Sequence, residues 1–307
     1  MKLQEFTVSS AGGQRQLHAC QWTPEGEVRA VVQLTHGMCE HILRYAPLAE
    51  VLTGRGFAVI GHDHLGHGFT APDLNELGIF PADHPAQTMA DDIRKITAVA
   101  KARFPGLPVF LLGHSMGSFL ARRVCMEAPN SYRGVILMGT GRIPDAAVQS
   151  AKATLRTMIR LRGANHRPTR MTAIGIANYN RPFQPIETPN DWLTSDREKR
   201  AAYNADPLCQ FTFSAAGYLM LMKTIEYIQK PEHIRALSPE LSILFVSGAL
   251  DPVGENGRGV RSVMKRYQKQ CSDVSATIYP GCRHQILDET ISDTICADIA
   301  DWVEARV

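Results

Sequence analysis

Short apolar runs alternate with helical patterns along most of this chain, and this alternation limits the folds that the chain can adopt. Each run is short and rich in branched apolar residues, as expected of a strand that is buried on both faces. Strands that alternate with helices predict a mostly parallel sheet with helices on both faces, which is an α/β fold. Two earlier runs, Phe6–Ser9 and Leu17–Trp22, predict an antiparallel hairpin at one edge of that sheet. The predicted inner strands are residues 29–34, 56–60, 108–112, 134–138, 241–247 and 276–279.

The alternation breaks after Gly141. No strongly β-like run follows until residue 241, and apolar residues recur at helical spacing instead. We therefore expect a helical insertion above the sheet, residues 141–230, which is called the cap segment below. The two remaining parts, residues 1–140 and 231–307, are expected to form one core around it.

Composition and charge exclude several classes of protein. A chain of 307 residues with 44% hydrophobic and 21% charged residues can bury a large core. Its net charge of +3 is too small to indicate a nucleic-acid partner. No window resembles a transmembrane span, and the first residues lack the apolar stretch of a signal peptide. Seven scattered cysteines without a C-x-x-C pair indicate reduced thiols, so a cytoplasmic protein is expected.

The clearest chemical motif is the sequence GHSMG, residues 113–117, which matches G-x-S-x-G. It lies where the predicted strand 108–112 meets a predicted helix, and this is the position of a nucleophile elbow. Gly113 and Gly117 supply the small neighbours that such a tight turn requires. Ser115 is therefore the predicted nucleophile, and the alternative is that its side chain only caps the helix.

A serine nucleophile needs a base and an acid that orients the base. In chains with this motif the acid and then the histidine follow the serine. Only three histidines follow Ser115, and two of them lie in or near the cap segment. His284 follows the predicted strand 276–279, and Asp251 closely follows the strand 241–247, so both reach the same edge of the sheet. Taken singly, Asp251 fits a turn residue and His284 a surface loop residue, but their order and placement predict a triad.

A tetrahedral intermediate also needs hydrogen-bond donors for its negatively charged oxygen. The backbone N–H of Met116, directly after the serine, is the first expected donor. The second is expected from the loop after strand 29–34, which reads THGMCEH over residues 35–41 and is called the oxyanion loop below. We predict the N–H of Met38 for this role, with Gly37 allowing the backbone to come close.

Three motifs together carry a family resemblance. HGMCEH followed by RY (36–45), DHLGHG (63–68) and GHSMG (113–117) resemble the monoacylglycerol lipase and lysophospholipase branch of the α/β-hydrolases. The resemblance covers nearly the whole chain and implies an α/β-hydrolase fold with a helical cap and no cofactor. The resemblance also implies the catalytic roles that were inferred above from the motifs. Ser115, Asp251 and His284 would form the triad, and Met38 and Met116 would supply the oxyanion donors.

Two positions depart from the pattern of that branch. Ser118 stands where a third glycine is usual, and Phe69-Thr70 stand where a small residue and a serine are common. Neither position belongs to the triad, so the departures bear on the range of substrates rather than on activity.

The stretch GHDHLGHG, residues 61–68, allows a second interpretation. His62, His64 and His67 have the histidine spacing of the H-x-H-x-D-H metal loop of metallo-β-lactamase-like hydrolases, and a metal-dependent hydrolase is the remote alternative. However, that loop requires an aspartate where Gly66 stands, and no second cluster of ligands completes a zinc site. We therefore predict no metal, and a turn shaped by Asp63 and the glycines.

The expected activity is hydrolysis of a carboxylic ester through an acyl-serine intermediate, with a small-molecule or lipid monoester as substrate. A carboxylesterase for small soluble esters, or an amide or C–C hydrolase on the same scaffold, is the alternative, because fold and triad do not separate these. A non-catalytic binding protein with this fold would lack a triad member, and none is missing. The oligomeric state stays open.

Two further features border the predicted site. Cys39 adjoins Met38, and Cys282 lies two residues before His284, so each is either a small packing residue or a thiol of the pocket. In the cap segment, Lys152, Arg156 and Arg160 fall four residues apart and are predicted to share one helix face. Such a face is either a solvated charged surface or a peripheral contact with an anionic membrane.

Overall fold

The computed structural model describes residues 1–13, 15–81 and 83–307. In these residues eight strands form one sheet, in the order β1-β2-β4-β3-β5-β6-β7-β8. The β1–β2 and β2–β4 pairs are antiparallel, and all later pairs are parallel. The predicted α/β fold is confirmed, with the hairpin at one edge. The strands are β1 (Lys2–Ser9), β2 (Gln16–Thr23), β3 (Ala30–Thr35), β4 (Phe57–His62), β5 (Val109–His114), β6 (Gly134–Met138), β7 (Ser242–Gly248) and β8 (Val274–Tyr279).

Helices cover both faces of this sheet. After the oxyanion loop the chain first forms a 3₁₀ turn at Ile42–Tyr45, and the helix that follows has proline at its second position. The helices are α1 (Ala46–Gly54), α2 (Pro85–Arg103), α3 (Met116–Glu127), α4 (Asp145–Arg162), α5 (Thr169–Asn180), α6 (Arg197–Ala205), α7 (Ala215–Gln229), α8 (Pro231–Ile234), α9 (Arg258–Tyr267) and α10 (Ser292–Glu304).

The two sides of the sheet bury separate apolar cores. All six residues of β3 are buried, and successive residues point to opposite faces. Val31 packs with residues of α2 and α3 on one side, while Val32 packs with residues of α1 and α10 on the other. This double burial explains why the inner strands are continuous apolar runs rather than alternating ones.

The cap segment carries α4 to α7 between β6 and β7. Helix α7 packs on α2 and α3, and α4 packs on α7 through the buried side chains of Val148 and Leu155. Among the described residues, no helix combines the length and the apolar character that are needed to cross a bilayer.

The predicted basic face of α4 is wrong in one of its three residues. Lys152 is buried, and its Nζ lies 2.5 Å from Glu226 Oε1 on α7. The side chains of residues four apart on a helix point in directions that differ by about 40°. This rotation is enough to place Lys152 on the packed face of α4 and the next basic residue on the solvated face. Arg156 and Arg160 are exposed.

The GHDHLGHG loop is held together by Asp63. Its carboxylate accepts hydrogen bonds from the backbone N–H of Ile42 (2.7 Å) and Phe69 (2.9 Å), and it lies 2.8 Å from His18 Nδ1. Burial by itself raises the pKa of Asp63, but the hydrogen bond to His18, the nearby His36 ring and the Ile42 N–H outweigh it and hold the pKa below its ordinary range. A β-carbon on Gly68, at a φ of 46°, would lie 2.3 Å from this carboxylate.

The histidines of the same loop are buried beside Asp63. The ring of His36 lies 4.3 Å from that of His64, and His62 and His67 flank them. Among the described residues, these histidines belong to no group of three side chains whose metal-ligating atoms all lie within 4.8 Å of one another. Asp63 and Gly68 thus shape a turn over residues 61–68, whereas the absence of a metal there stays a prediction.

Candidate active site

Ser115 lies in a sharp turn between β5 and α3, with a φ of 50° and a ψ of −118°. Such a backbone conformation is rare for a residue with a side chain. A β-carbon on Gly113 would lie 2.4 Å from the carbonyl oxygen of Gly117, and one on Gly117 would lie 2.0 Å from that of Thr35. Glycine is therefore required at both positions for α3 to start this close to the sheet. Among the described residues the Ser115 side chain makes no capping hydrogen bond to α3.

The structure brings Ser115, His284 and Asp251 together in one hydrogen-bonded row. Ser115 Oγ lies 2.9 Å from His284 Nε2, and His284 Nδ1 lies 2.9 Å from Asp251 Oδ1. Asp251 follows β7 and His284 follows β8, so the carboxyl ends of neighbouring strands deliver both. Asp251 is fully buried and also accepts the backbone N–H of Val253 at 2.9 Å. This geometry allows the imidazole to accept the hydroxyl proton while the carboxylate fixes the ring.

The two residues predicted to supply the oxyanion donors line the same cavity. Met38 and Met116 both line it beside Ser115. Neither of their backbone N–H groups donates to another group of the residues that the structure describes. A β-carbon on Gly37 would lie 3.1 Å from the β-carbon of Ser115 and 2.4 Å from a Glu40 oxygen, so glycine is what lets this loop approach the serine.

A buried pair behind the triad was not predicted from the sequence. Glu40 Oε1 lies 2.7 Å from His114 Nδ1, and it also accepts hydrogen bonds from the Tyr45 hydroxyl and the Gly37 N–H. His114 Nε2 in turn lies 3.3 Å from the carbonyl oxygen of His284. One carboxylate therefore links the oxyanion loop, the residue before Ser115 and the loop that carries His284.

The charges of this pair stabilise each other. Burial by itself raises the pKa of Glu40, but the His114 ring outweighs it and holds the pKa far below its ordinary range. Burial likewise lowers the pKa of His114, and the Glu40 carboxylate more than reverses this, so the pKa of His114 is raised overall. Glu40 lies in the motif HGMCEH and His114 lies in GHSMG. Their pairing could not be predicted, because it depends on how the two loops meet in the fold.

Trp192 of the cap segment is a second residue that the sequence did not indicate. Its indole stacks on the His284 ring with centroids 4.9 Å apart, and Tyr179 packs on the indole at 4.8 Å. The cap segment therefore covers one side of the imidazole. A single tryptophan in a polar stretch gives no periodic pattern from which this contact follows.

A cavity of about 1020 Å³ opens from Ser115 under the cap segment. This volume is at the upper end of the range for small-molecule sites. Most of its wall is apolar, and several polar side chains contribute to it. Its apolar lining includes Phe119, Ile143, Met171, Ile176, Tyr218, Leu221, Met222 and Ile225, and its polar lining includes Thr188, Asn190, Asn204 and Gln210.

The two cysteines considered from the sequence differ in position. Cys39 lines the cavity, and its thiol donates to the carbonyl oxygen of Phe211 at 3.2 Å. Burial raises the pKa of Cys39 to about 12, so the thiol is a weak nucleophile. Cys282 is buried in the apolar core on the α10 side and is not among the residues of the cavity wall.

A serine, an imidazole and a carboxylate at the carboxyl edge of a mostly parallel sheet define a serine hydrolase of the α/β-hydrolase fold. Residues 26–291 match the family model described as serine aminopeptidase, S33, and the chain belongs to this family. The resemblance to the monoacylglycerol lipase branch of the α/β-hydrolases, noted from the motifs, is confirmed.

Individual relatives resemble the chain over nearly its full length. The monoglyceride lipase of Homo sapiens is 27% identical over 93% of this chain and 86% of its own. The monoacylglycerol lipase of Mycolicibacterium smegmatis is 27% identical over 99% of this chain and 98% of its own. A carboxyl esterase from Bacillus coagulans, solved in complex with glycerol, superposes with a TM-score of 0.92 at 29% identity, covering 100% of this chain and 99% of that one.

We expect the substitution Glu40→Gln to lower kcat by about 10- to 100-fold, because the shape is kept while the charge that holds His114 is lost. KM should change little, since Glu40 does not line the cavity wall. Tyr45→Phe, which removes one neutral hydrogen bond to the same carboxylate, should have a much smaller effect. Steady-state kinetics on variants with unchanged circular dichroism measure this, and an undiminished kcat in Glu40→Gln would contradict the positioning role.

Proposed function

We propose that this serine ester hydrolase cleaves monoacyl lipids through an acyl intermediate on Ser115. The observation that carries the proposal is the aligned row of Ser115, His284 and Asp251 opening into a large, mostly apolar cavity. The names of the human and mycobacterial relatives, which are lipases of monoacylglycerols, support the same substrate class.

In the proposed reaction, Ser115 Oγ attacks the ester carbonyl carbon while His284 Nε2 takes the hydroxyl proton. The negative charge that develops on the carbonyl oxygen is stabilised by the N–H groups of Met38 and Met116. His284 then gives its proton to the leaving alcohol, and the acyl group stays on Ser115. Water, activated by the same imidazole, releases the fatty acid. Asp251 keeps the ring oriented and stabilises its charge throughout.

The cap segment, proposed here to span residues 141–230, supplies the acyl site. Met171 and Ile176 come from α5, and Leu221 and Ile225 come from α7, so two cap helices form the apolar wall. An acyl chain gains roughly 0.8 kcal/mol for each CH₂ group that it buries. A wall of this kind therefore favours long acyl chains over acetate.

Hydrolysis of small soluble esters is the second candidate function. The carboxyl esterase from Bacillus coagulans superposes with a TM-score of 0.92, and fold and triad geometry alone do not separate the two substrate classes.

We also propose that the outer side of the cap segment contacts anionic membranes. Leu161 on α4 and Ile174 on α5 are 76% and 65% exposed, and the exposed Arg156, Arg160 and Arg170 lie on the same two helices. Apolar side chains beside basic ones are typical of helices that lie in a membrane interface. The seven cysteines, none disulfide-bonded among the described residues, fit the proposed cytoplasmic location.

Replacing Ser115 with alanine should remove the nucleophile and lower turnover by at least about 10³-fold, since the oxyanion donors alone leave only residual catalysis. The variant should also fail to react with a fluorophosphonate probe. Ester hydrolysis and probe labelling, followed by mass spectrometry of the labelled peptide, measure both effects. Labelling that persists in the folded alanine variant would exclude Ser115 as the nucleophile.

We expect kcat/KM to rise with acyl length from C2 to medium or long chains, because the cap helices bury the added methylene groups. The measurement is fatty-acid release from a C2 to C18 series of 1-monoacylglycerols, with lysophospholipids of matched chains beside it. A steady decline from C2 upward would exclude the lipid substrate and favour the small-ester function.

The double variant Arg156→Gln/Arg160→Gln should bind anionic vesicles more weakly, by about 2 kcal/mol or roughly 30-fold at low salt. Sedimentation with phosphatidylglycerol vesicles measures the binding, and neutral phosphatidylcholine vesicles show the apolar part alone. Arg258→Gln/Arg261→Gln on α9, with the same change of charge at exposed positions, is the matched control. Equal binding by both double variants would argue against a membrane contact through the cap segment.

A further inference from the structure

Three side chains of the kind that bind metal ions converge where the oxyanion loop meets the cap segment. His41 Nε2 lies 2.8 Å from Asp206 Oδ2, and Cys209 Sγ lies 3.5 Å from the same oxygen. The three ligand atoms all lie within 4.8 Å of one another. His41 belongs to the oxyanion loop, whereas Asp206 and Cys209 belong to the cap segment.

We propose that His41, Asp206 and Cys209 form a binding site for a soft divalent cation of the zinc class, which ties the cap segment to the core and slows turnover. The slowing rests on the proposed ester hydrolysis, whereas the binding of the cation does not.

The ligand set has the chemistry that Zn²⁺ prefers. Imidazole nitrogen, carboxylate oxygen and thiolate sulfur bind zinc at about 2.0 to 2.3 Å, which places neighbouring ligand atoms about 3.3 to 3.7 Å apart in a tetrahedral site. The separations of 2.8 and 3.5 Å approach this spacing, and the third pair, His41 Nε2 and Cys209 Sγ, lies within 4.8 Å. Shifts of about 1 Å or less at each ligand atom therefore complete the geometry. A thiolate and a carboxylate carry two negative charges, which neutralise the cation in this largely buried place.

Binding is coupled to proton release. The S–H bond of Cys209 breaks, a bond from sulfur to the cation forms, and the proton goes to solvent. The imidazole binds through Nε2, so the proton with which Nε2 donates to Asp206 in the metal-free form leaves that nitrogen, and the ring takes up a proton from solvent on Nδ1. A cysteine binds such a cation only as the thiolate, so the thiol must lose its proton first. Affinity should therefore increase with pH.

The site is reachable and lies next to the catalytic loop. Cys209 lines the cavity, and the Asp206 side chain is 22% exposed. The cap segment already holds this loop, since the Tyr203 hydroxyl donates to the carbonyl oxygen of Cys39 at 2.9 Å. A cation bound to His41 adds a stronger tie to the loop that carries Met38, and it restrains any movement of the cap that substrate entry or product release requires.

One other group of three converging ligands exists among the described residues, formed by Glu5, His18 and Cys20. There the imidazole is held between Asp63 (2.8 Å) and Glu5 (2.7 Å). Both ring nitrogens are therefore held by carboxylate oxygens, and neither offers a free lone pair to a metal. This second group provides an internal control.

The test of binding uses Co²⁺ as a spectroscopic substitute for Zn²⁺ on the full chain, freshly treated with chelator. We expect one Co²⁺ per chain, a thiolate-to-cobalt charge-transfer band in the near ultraviolet, and displacement of the cobalt by Zn²⁺. Cys209→Ser should abolish the band and weaken binding by more than about 100-fold, and Asp206→Asn should weaken it by about 10- to 100-fold. Cys20→Ser is the matched control and should bind as the unmodified chain does. A band that survives in Cys209→Ser, or that disappears in Cys20→Ser, would overturn the site.

The test of regulation compares each variant with its own metal-free rate on a short-chain ester. Zn²⁺ should slow the unmodified chain and Cys20→Ser, and EDTA should restore the rate, while Cys209→Ser stays insensitive. Inhibition that is equal in Cys209→Ser, or cobalt binding without any effect of Zn²⁺ on turnover, would reject the regulatory role. Because the cobalt spectrum is independent of hydrolysis, an inactive protein that still shows the band would refute the proposed function and leave the cation site standing.

Discussion

The close approach of α3 to the sheet is the constraint on which the rest of the site depends. The α-carbon of Gly117 lies so near the Thr35 carbonyl that no side chain fits between them. This contact forces the turn that places Ser115 in a rare backbone conformation and turns its hydroxyl toward His284. It also brings the first free N–H of α3 beside the oxyanion loop. Strain in the serine is tolerated because the sheet and helix around it are fully packed.

The fold and the core of the site follow from local sequence signals. Buried parallel strands are continuous apolar runs, so β3 and β5 to β7 were visible without any tertiary information. Ser115, Asp251 and His284 were found because each directly follows a strand, and parallel strands end at one edge. Their roles in catalysis remain predictions, although the structure places them within hydrogen-bonding distance.

What the sequence did not reveal depends on contacts between distant segments. Trp192 stacks on His284 only because the cap segment folds back over the sheet. Lys152 fits a solvated face by spacing alone, and its burial is decided by Glu226 on another helix. The departure at Ser118 was expected to concern substrate range, yet its hydroxyl donates to the Ser115 carbonyl oxygen at 2.6 Å and so supports the elbow itself. Periodicity reports which side of an element is apolar, but not which partner covers it.

The position of the cap segment in the chain has a consequence for how the molecule forms. Strands β6 and β7 are hydrogen-bonded neighbours, yet the whole cap segment separates them in sequence. Ser115 and the oxyanion loop precede this insertion, whereas Asp251 and His284 follow it. During synthesis the first half of the sheet is therefore available long before its neighbour strand exists, and closing so long a loop is slow. Ser115 and His284 meet only when the last strands have joined, so in a nascent chain the Ser115 hydroxyl lacks this hydrogen-bond partner until the sheet is complete.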